Sequence, residues 1–205
     1  EIGGNCVEIE ASDGRRVIID LGRPLWATSA DDVALPMTEG LTSHDPTLCG
    51  IVISHPHLDH YGLLARVSTD VPVFIGAEAS SLLRAASFFS PVSADLTPAG
   101  HLVHGEWLSV GPFAIQPYMN DHSAFDAYSL LIQCDGRRVF YTGDIRGHGR
   151  KSRLFEALLA DPPHDVDVML MEGTHVRSDP ATDGDTFETE VDLETRFVDV
   201  LKATT

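Results

Sequence analysis

The sequence predicts an α/β fold with mixed sheets, and three features carry that expectation. After residue 50 the chain alternates: runs rich in β-branched residues are followed by apolar residues at helical spacing. Asp13-Gly14 and Asp135-Gly136 each stand between two alternating runs, where a tight hairpin turn places such pairs. Over 205 residues, 43% are hydrophobic and 22% charged, which is enough apolar side chain for one domain with a sizeable core.

Residues 6–11 and 16–20 alternate in the manner of strands and form the first hairpin. The stretch 24–46 is irregular, punctuated by Pro24, Pro36, Gly40 and Pro46, and predicts a long loop where Trp26 and Met37 cover the sheet edge. Residues 51–53 read as a buried strand and 58–67 as a helix, with Pro56 breaking the ladder between them. Strand 71–75 leads into helix 76–89, whose apolar face holds Leu82, Leu83 and Ala86. A connector over 91–100 precedes three short strands at 101–104, 107–110 and Phe113–Met119. Tyr128–Cys134 and residues 138–142 form the second hairpin. Helix 151–160, strand 165–171 and an amphipathic helix over 186–202 complete the chain. The chain opens on Glu1 in a strand pattern and stops within a helical one. The expected organisation is therefore a domain over 1–185, followed by a helix over 186–205 that leads into a longer protein.

The formal net charge is −17, which weighs against a nucleic-acid partner because phosphate binding draws on basic surface. The local exceptions are Arg137-Arg138 and the basic residues of 146–153. No apolar stretch approaches the roughly 18 residues that span a bilayer, so no membrane partner is expected. Cys6, Cys49 and Cys134 are too few and too scattered for a disulfide framework or a cysteine zinc site. A cytoplasmic location is expected.

The chemistry concentrates at Ser54-His55-Pro56-His57-Leu58-Asp59-His60, between a strand end and a helix start. Imidazole nitrogen and carboxylate oxygen are zinc-ligand types, and a tight loop aims alternate side chains at neighbouring points. His55 and His57 are expected to reach one point, and Asp59 and His60 another. Further along, Asp121-His122-Ser123 closes one strand run and Thr142-Gly143-Asp144 ends another.

The His-x-His-x-Asp-His motif resembles the signature of the metallo-β-lactamase superfamily. With the segments around His122, Asp144 and Glu172, the chain is most similar to the ribonuclease J and β-CASP nuclease branch. The resemblance implies a four-layer αββα sandwich: two mixed sheets face to face, helices outside, and two metal ions at one sheet edge. It implies that His55, His57, His122 and Asp144 hold one Zn2+, and that Asp59, His60 and Asp144 hold a second. The last histidine of the second site is expected beyond Thr205, leaving that site weak or empty and this stretch by itself inactive. Asp20 would orient a ligand, and Asp126 would lie near the pocket. Catalytic roles are implied for Asp59, which holds the nucleophile, for Ser123, which faces the substrate phosphate, and for Glu172, which matches the acidic strand end of the branch. Gly173 departs from the branch's usual serine. His175 is expected to be a solvent-facing loop residue. The implied activity is hydrolysis of RNA phosphodiesters by a metal-bridged hydroxide. Alternatives are a small-molecule ester, phosphoester, thioester or lactone hydrolase and a non-catalytic metal-binding scaffold. A homo-oligomer is a further expectation for the full-length protein.

Overall fold

The computed structural model describes residues 3–89, 96–174 and 188–204. Ten strands form two five-stranded sheets. The first sheet runs, in spatial order, β1 (Val7–Glu10), β2 (Arg16–Ile19), β3 (Leu48–Val52), β4 (Val73–Gly76) and β5 (Gly100–Leu102). β1 and β2 are antiparallel, and the rest of that sheet is parallel. The second sheet contains β6 (Leu108–Val110), β7 (Phe113–Met119), β8 (Tyr128–Cys134), β9 (Arg137–Tyr141) and β10 (Val168–Leu170), again in spatial order. It is antiparallel up to β9, and β10 joins in parallel. Asp135 and Gly136 both have positive φ, 49° and 71°, which is the backbone that the tight turn between β8 and β9 requires.

Side-chain alternation along β2 and β3 builds two cores at once. Val17, Ile19 and Val52 point between the sheets, against Phe113, Ile115, Leu130 and Ile132. Ile18, Ile51 and Ile53 point the other way and pack with Tyr61, Leu63, Leu64, Ala79 and Leu83. That outer layer comprises α1 (Leu58–Tyr61), a 3-10 turn at Leu64–Arg66 and α2 (Ala77–Ser87). Two further helices, α3 (Ser152–Ala160) between β9 and β10 and α4 (Glu190–Ala203) after β10, bury no residue. The architecture is the expected αββα arrangement of mixed sheets.

Several boundaries differ from expectation. The helix expected over 58–67 stops after Tyr61. The carbonyls of Leu58 and His60 accept the N–H groups of Arg23 and Leu21, and Leu63 N–H turns to the Leu21 carbonyl. Bonds to the exit of β2 thus divert the backbone from a continuous helix. The strand expected over 165–171 forms only Val168–Leu170, an edge strand paired on one side. The connector around 91–95, His175 and the start of the last amphipathic segment lie outside the described residues.

Candidate metal centre

The ends of β2, β3, β7 and β9 meet at one rim of the sandwich. β3 gives way there to Ser54 and His55, β7 to Asn120, Asp121 and His122, and β9 to Thr142, Gly143 and Asp144. Gly143 makes the last turn with φ 55°, and a Cβ built on it would lie 3.0 Å from the Tyr128 carbonyl oxygen. The chain therefore turns tightly enough to bring Asp144 back over the two sheets.

Four imidazoles and one carboxylate converge. Ligand atoms of His55, His57 and His122 lie within 4.8 Å of one another, as do those of His55, His60 and Asp144. Nε2 of His122 is 3.1 Å from Nδ1 of His57. Nε2 of His60 is 3.3 Å from one Asp144 oxygen, and the other oxygen faces His122 at 3.8 Å and His55 at 3.9 Å. Tetrahedral ligation at 2.0–2.1 Å spaces donor atoms about 3.3 Å apart, which the His57–His122 and His60–Asp144 separations match and the wider ones exceed.

The fit to a cation is sharpest at His55. Its ring is fully buried, its Nδ1 meets the Ser54 hydroxyl at 3.1 Å, and among the described residues its Nε2 has no hydrogen-bond partner. A buried polar atom without a partner costs free energy, and a cation at that point relieves it. One ring nitrogen binds one cation, so His55 completes one site only. Asp59 stands outside both convergent groups, but its carboxylate is 3.8 Å from His60 Nε2, within reach of a site built on His60 and Asp144.

The protonation pattern follows from burial and charge. Burial, reinforced by the neighbouring histidines, lowers His55 well below the usual imidazole range. Burial likewise lowers His122, to about 4, against the pull of Asp144, and lowers His57. Burial also opposes protonation of His60, but its hydrogen bonds to Asp144 and Asp20 outweigh that and raise it to about 10. Three neutral imidazoles thus face one cationic one, His60, which gives up its Nε2 proton when that nitrogen ligates a cation.

Asp20 holds this arrangement from behind. It is fully buried, with φ 58°, and accepts from Ser54 N–H at 2.7 Å, Ser54 Oγ at 2.8 Å and Tyr141 Oη at 2.7 Å. Its Oδ2 also meets His60 Nδ1 at 2.7 Å, which aims Nε2 at the cluster. Asn5 adds an amide 3.0 Å from His60 Nε2. Asp121, also fully buried, accepts from Gly149 N–H at 2.7 Å and Lys151 N–H at 3.3 Å, tying the 145–151 loop to the residue before His122. Asn5, Asp121 and Tyr141 were not singled out from sequence, because nothing local marks a residue whose partner lies far along the chain.

The remaining sequence-predicted residues sit around the cluster. Ser123 is exposed on the loop just past His122. Glu172 stands outside the converging donors: its carboxylate accepts Ile145 N–H at 2.6 Å, and its own N–H bonds Thr142 Oγ1. Asp126 turns away from the cluster, accepting Glu78 and Ala79 N–H at the start of α2, each at 3.0 Å, and Tyr128 Oη at 2.5 Å.

Two mixed sheets with a histidine–aspartate cluster at their rim define a metal-binding domain of the metallo-β-lactamase fold. The family model described as Beta-lactamase superfamily domain matches residues 15–201, and the chain belongs to that family. It is 27% identical over 186 residues to a ribonuclease J of Corynebacterium glutamicum, covering 85% of this chain and 25% of that protein. A solved protein of unknown function from Enterococcus faecalis superposes with TM-score 0.74 at 22% identity, over 97% of this chain and 54% of that one. A HARLDQ-motif mutant of a metallo-beta-lactamase from Cronobacter sakazakii superposes with TM-score 0.62 at 18% identity, over 82% and 71%. The chain spans 20% and 25% of the length of two ribonuclease J relatives it matches. No described helix is long and apolar enough to cross a membrane.

Proposed function

We propose that this domain is a zinc-dependent hydrolase acting on RNA phosphodiesters. The observation that carries the reading is the convergence of four imidazoles and Asp144 about the unpartnered Nε2 of His55. The ribonuclease J relatives point it toward RNA. When bound, zinc supplies Lewis acidity toward a phosphoryl oxygen and a hydroxide nucleophile near neutral pH. The protein's own residues do the positioning. His55, His57 and His122 would hold one cation, and His60, Asp144 and Asp59 the other. Asp59 orients the attacking water from the open side. The exposed Ser123 hydroxyl donates to a substrate phosphate oxygen. Glu172 fixes the backbone next to Asp144 and so acts as a positioning residue. Three unpaired cysteines suit a reducing compartment, and we place the activity in the cytoplasm.

The net charge of −17 favours a second reading, hydrolysis of a small ester, thioester or lactone, which needs no basic surface. The deciding experiment assays the zinc-loaded protein against 5′-phosphorylated RNA and a panel of small esters, with His57→Ala alongside. RNA cleavage lost in His57→Ala is the expected result. Turnover of esters alone moves the assignment to the second reading. RNA cleavage undiminished in His57→Ala overturns the metal mechanism.

A further inference from the structure

His122 and Asp144 leave different strand ends of the second sheet, and their donor atoms stand 3.8 Å apart. One residue joins the two loops that carry them. Asp121 directly precedes His122, and it binds the loop that directly follows Asp144. Its Oδ2 accepts Gly149 N–H at 2.7 Å, and its Oδ1 accepts Lys151 N–H at 3.3 Å and faces Arg146 Nε at 3.6 Å. Its backbone carbonyl accepts Arg146 N–H at 2.8 Å. The same loop also reaches past His122. The Lys151 ammonium donates to the Ala124 carbonyl at 3.1 Å, so the turn bearing His122 is held on both sides.

Two observations single out the Asp121 carboxylate. It is fully buried, where a carboxylate is costly unless hydrogen bonds and an opposite charge meet it. Arg146 supplies the charge, and its guanidinium is itself paired with Glu190 of α4 at 2.7 Å. The second observation is how closely the loop approaches. A Cβ built on Gly149 would lie 2.4 Å from Asp121 Oδ1, so the carboxylate occupies the space that a side chain at 149 would need. The Gly149, Lys151 and Arg146 groups that face this carboxylate are all donors, which suits an ionised group that only accepts.

We propose that Asp121 is a positioning residue of the metal centre: its carboxylate clasps the 145–151 loop and so sets where His122 stands relative to Asp144. The assignment rests on the reading of the histidine–aspartate cluster as a metal centre. Each sheet then brings one fully buried carboxylate to the rim. Asp20, at the end of β2, orients the His60 ring directly. Asp121, at the end of β7, acts through the backbone of two ligand-bearing loops. Asp121→Asn keeps the size but turns an NH2 group against one of the donors. Gly149→Ala attacks the same clasp from the other side and leaves both the carboxylate and the metal ligands unchanged.

The test compares wild type, Asp121→Asn, Gly149→Ala and the double variant, each stripped of metal by chelator. Co2+ is titrated in and followed by its visible spectrum, which changes with the number and arrangement of its ligands. Zinc affinity is measured by chelator competition, and Tm of the metal-free proteins is measured alongside. Each single variant is expected to bind zinc roughly 10- to 100-fold more weakly, the usual loss for a group that supports a ligand, and to show an altered Co2+ spectrum. The double variant should lose little more than either single one, because both changes break one clasp. Wild-type affinity and spectrum in the single variants overturn the assignment, and a lower Tm would then mark Asp121 as a support of the fold alone. Losses that add in the double variant also overturn it, since the two residues would then act separately. If Asp121→Asn does not fold, Gly149→Ala decides by itself. A wild type that takes up neither Co2+ nor zinc overturns the metal-centre reading and this assignment with it. A wild type that binds both, beside unaltered variants, overturns this assignment alone.

Discussion

Asp20 gathers four hydrogen bonds in a place with no solvent, from Ser54 N–H and Oγ, His60 and Tyr141. Asp20→Asn keeps the shape but gives an amide that cannot accept on both sides. It should weaken zinc binding roughly 10- to 100-fold, the usual cost of losing a group that orients a ligand. Competition with a calibrated chelator measures it, and an unchanged affinity would show that His60 is held by other means. The protonation pattern carries a second prediction for the metal-free protein. His60 is raised to about 10, so its stabilisation is complete below the unfolded imidazole value of about 6.5 and is lost as pH rises toward 10. His55, His57 and His122 are lowered, so theirs is complete above about 6.5 and is lost as pH falls, toward about 4 for His122. In excess chelator, Tm should therefore peak near neutral pH and fall on both sides. A Tm rising steadily from pH 6 to pH 9 would show that His60 is not held as the cation. The motif from His55 to His60 was legible in the sequence because its donors sit within six positions, whereas the Asp20–Tyr141 bond spans 121 residues. No local pattern announces a contact of that kind.

Elements are joined at this site through their ends, and Asp126 shows how. Its carboxylate caps α2, which has no side-chain cap of its own because Gly76 stands at its N-cap position. A Cβ on Gly76 would lie 2.1 Å from an Asp126 oxygen, so the two residues fit only as a pair. The loop bearing His122 is thereby fastened to the first sheet. Asp126→Ala orphans two helix N–H groups and the Tyr128 hydroxyl, at a cost of about 1–3 kcal/mol. Calorimetry should show Tm lower by roughly 2–4 °C per kcal/mol for a chain of this size. Asp126→Asn keeps an acceptor and tolerates the positive φ of 61°, so it should lose less. Equal losses in the two variants would show that the charge, not the cap geometry, matters. The overall alternation of strands and helices was legible because β-branched runs and helical spacing are local. The early stop of α1 was not, because the groups that take its carbonyls, Leu21 and Arg23, are nearly forty residues earlier in the chain.

For the molecule as a whole, net charge and metal binding act on the same free energy. At −17 the folded chain repels itself, and bound divalent cations reduce that repulsion while filling a site absent from the unfolded chain. Binding that favours the folded state raises stability by about 2.7 kcal/mol when free metal is 100 times its dissociation constant. At roughly 2–4 °C per kcal/mol, Tm should rise by about 5–11 °C on loading with zinc. A monovalent salt at matched ionic strength supplies the comparison, since screening alone also relieves self-repulsion. The zinc effect should exceed the salt effect, be reversed by chelator, and shrink to the salt effect in a His57→Ala, His122→Ala double variant. Neither side chain belongs to the two apolar cores, so the double variant should stay folded. A rise that is the same for zinc and for the matched salt, or that survives in the double variant, would mean that the histidine cluster does not bind metal in the folded protein.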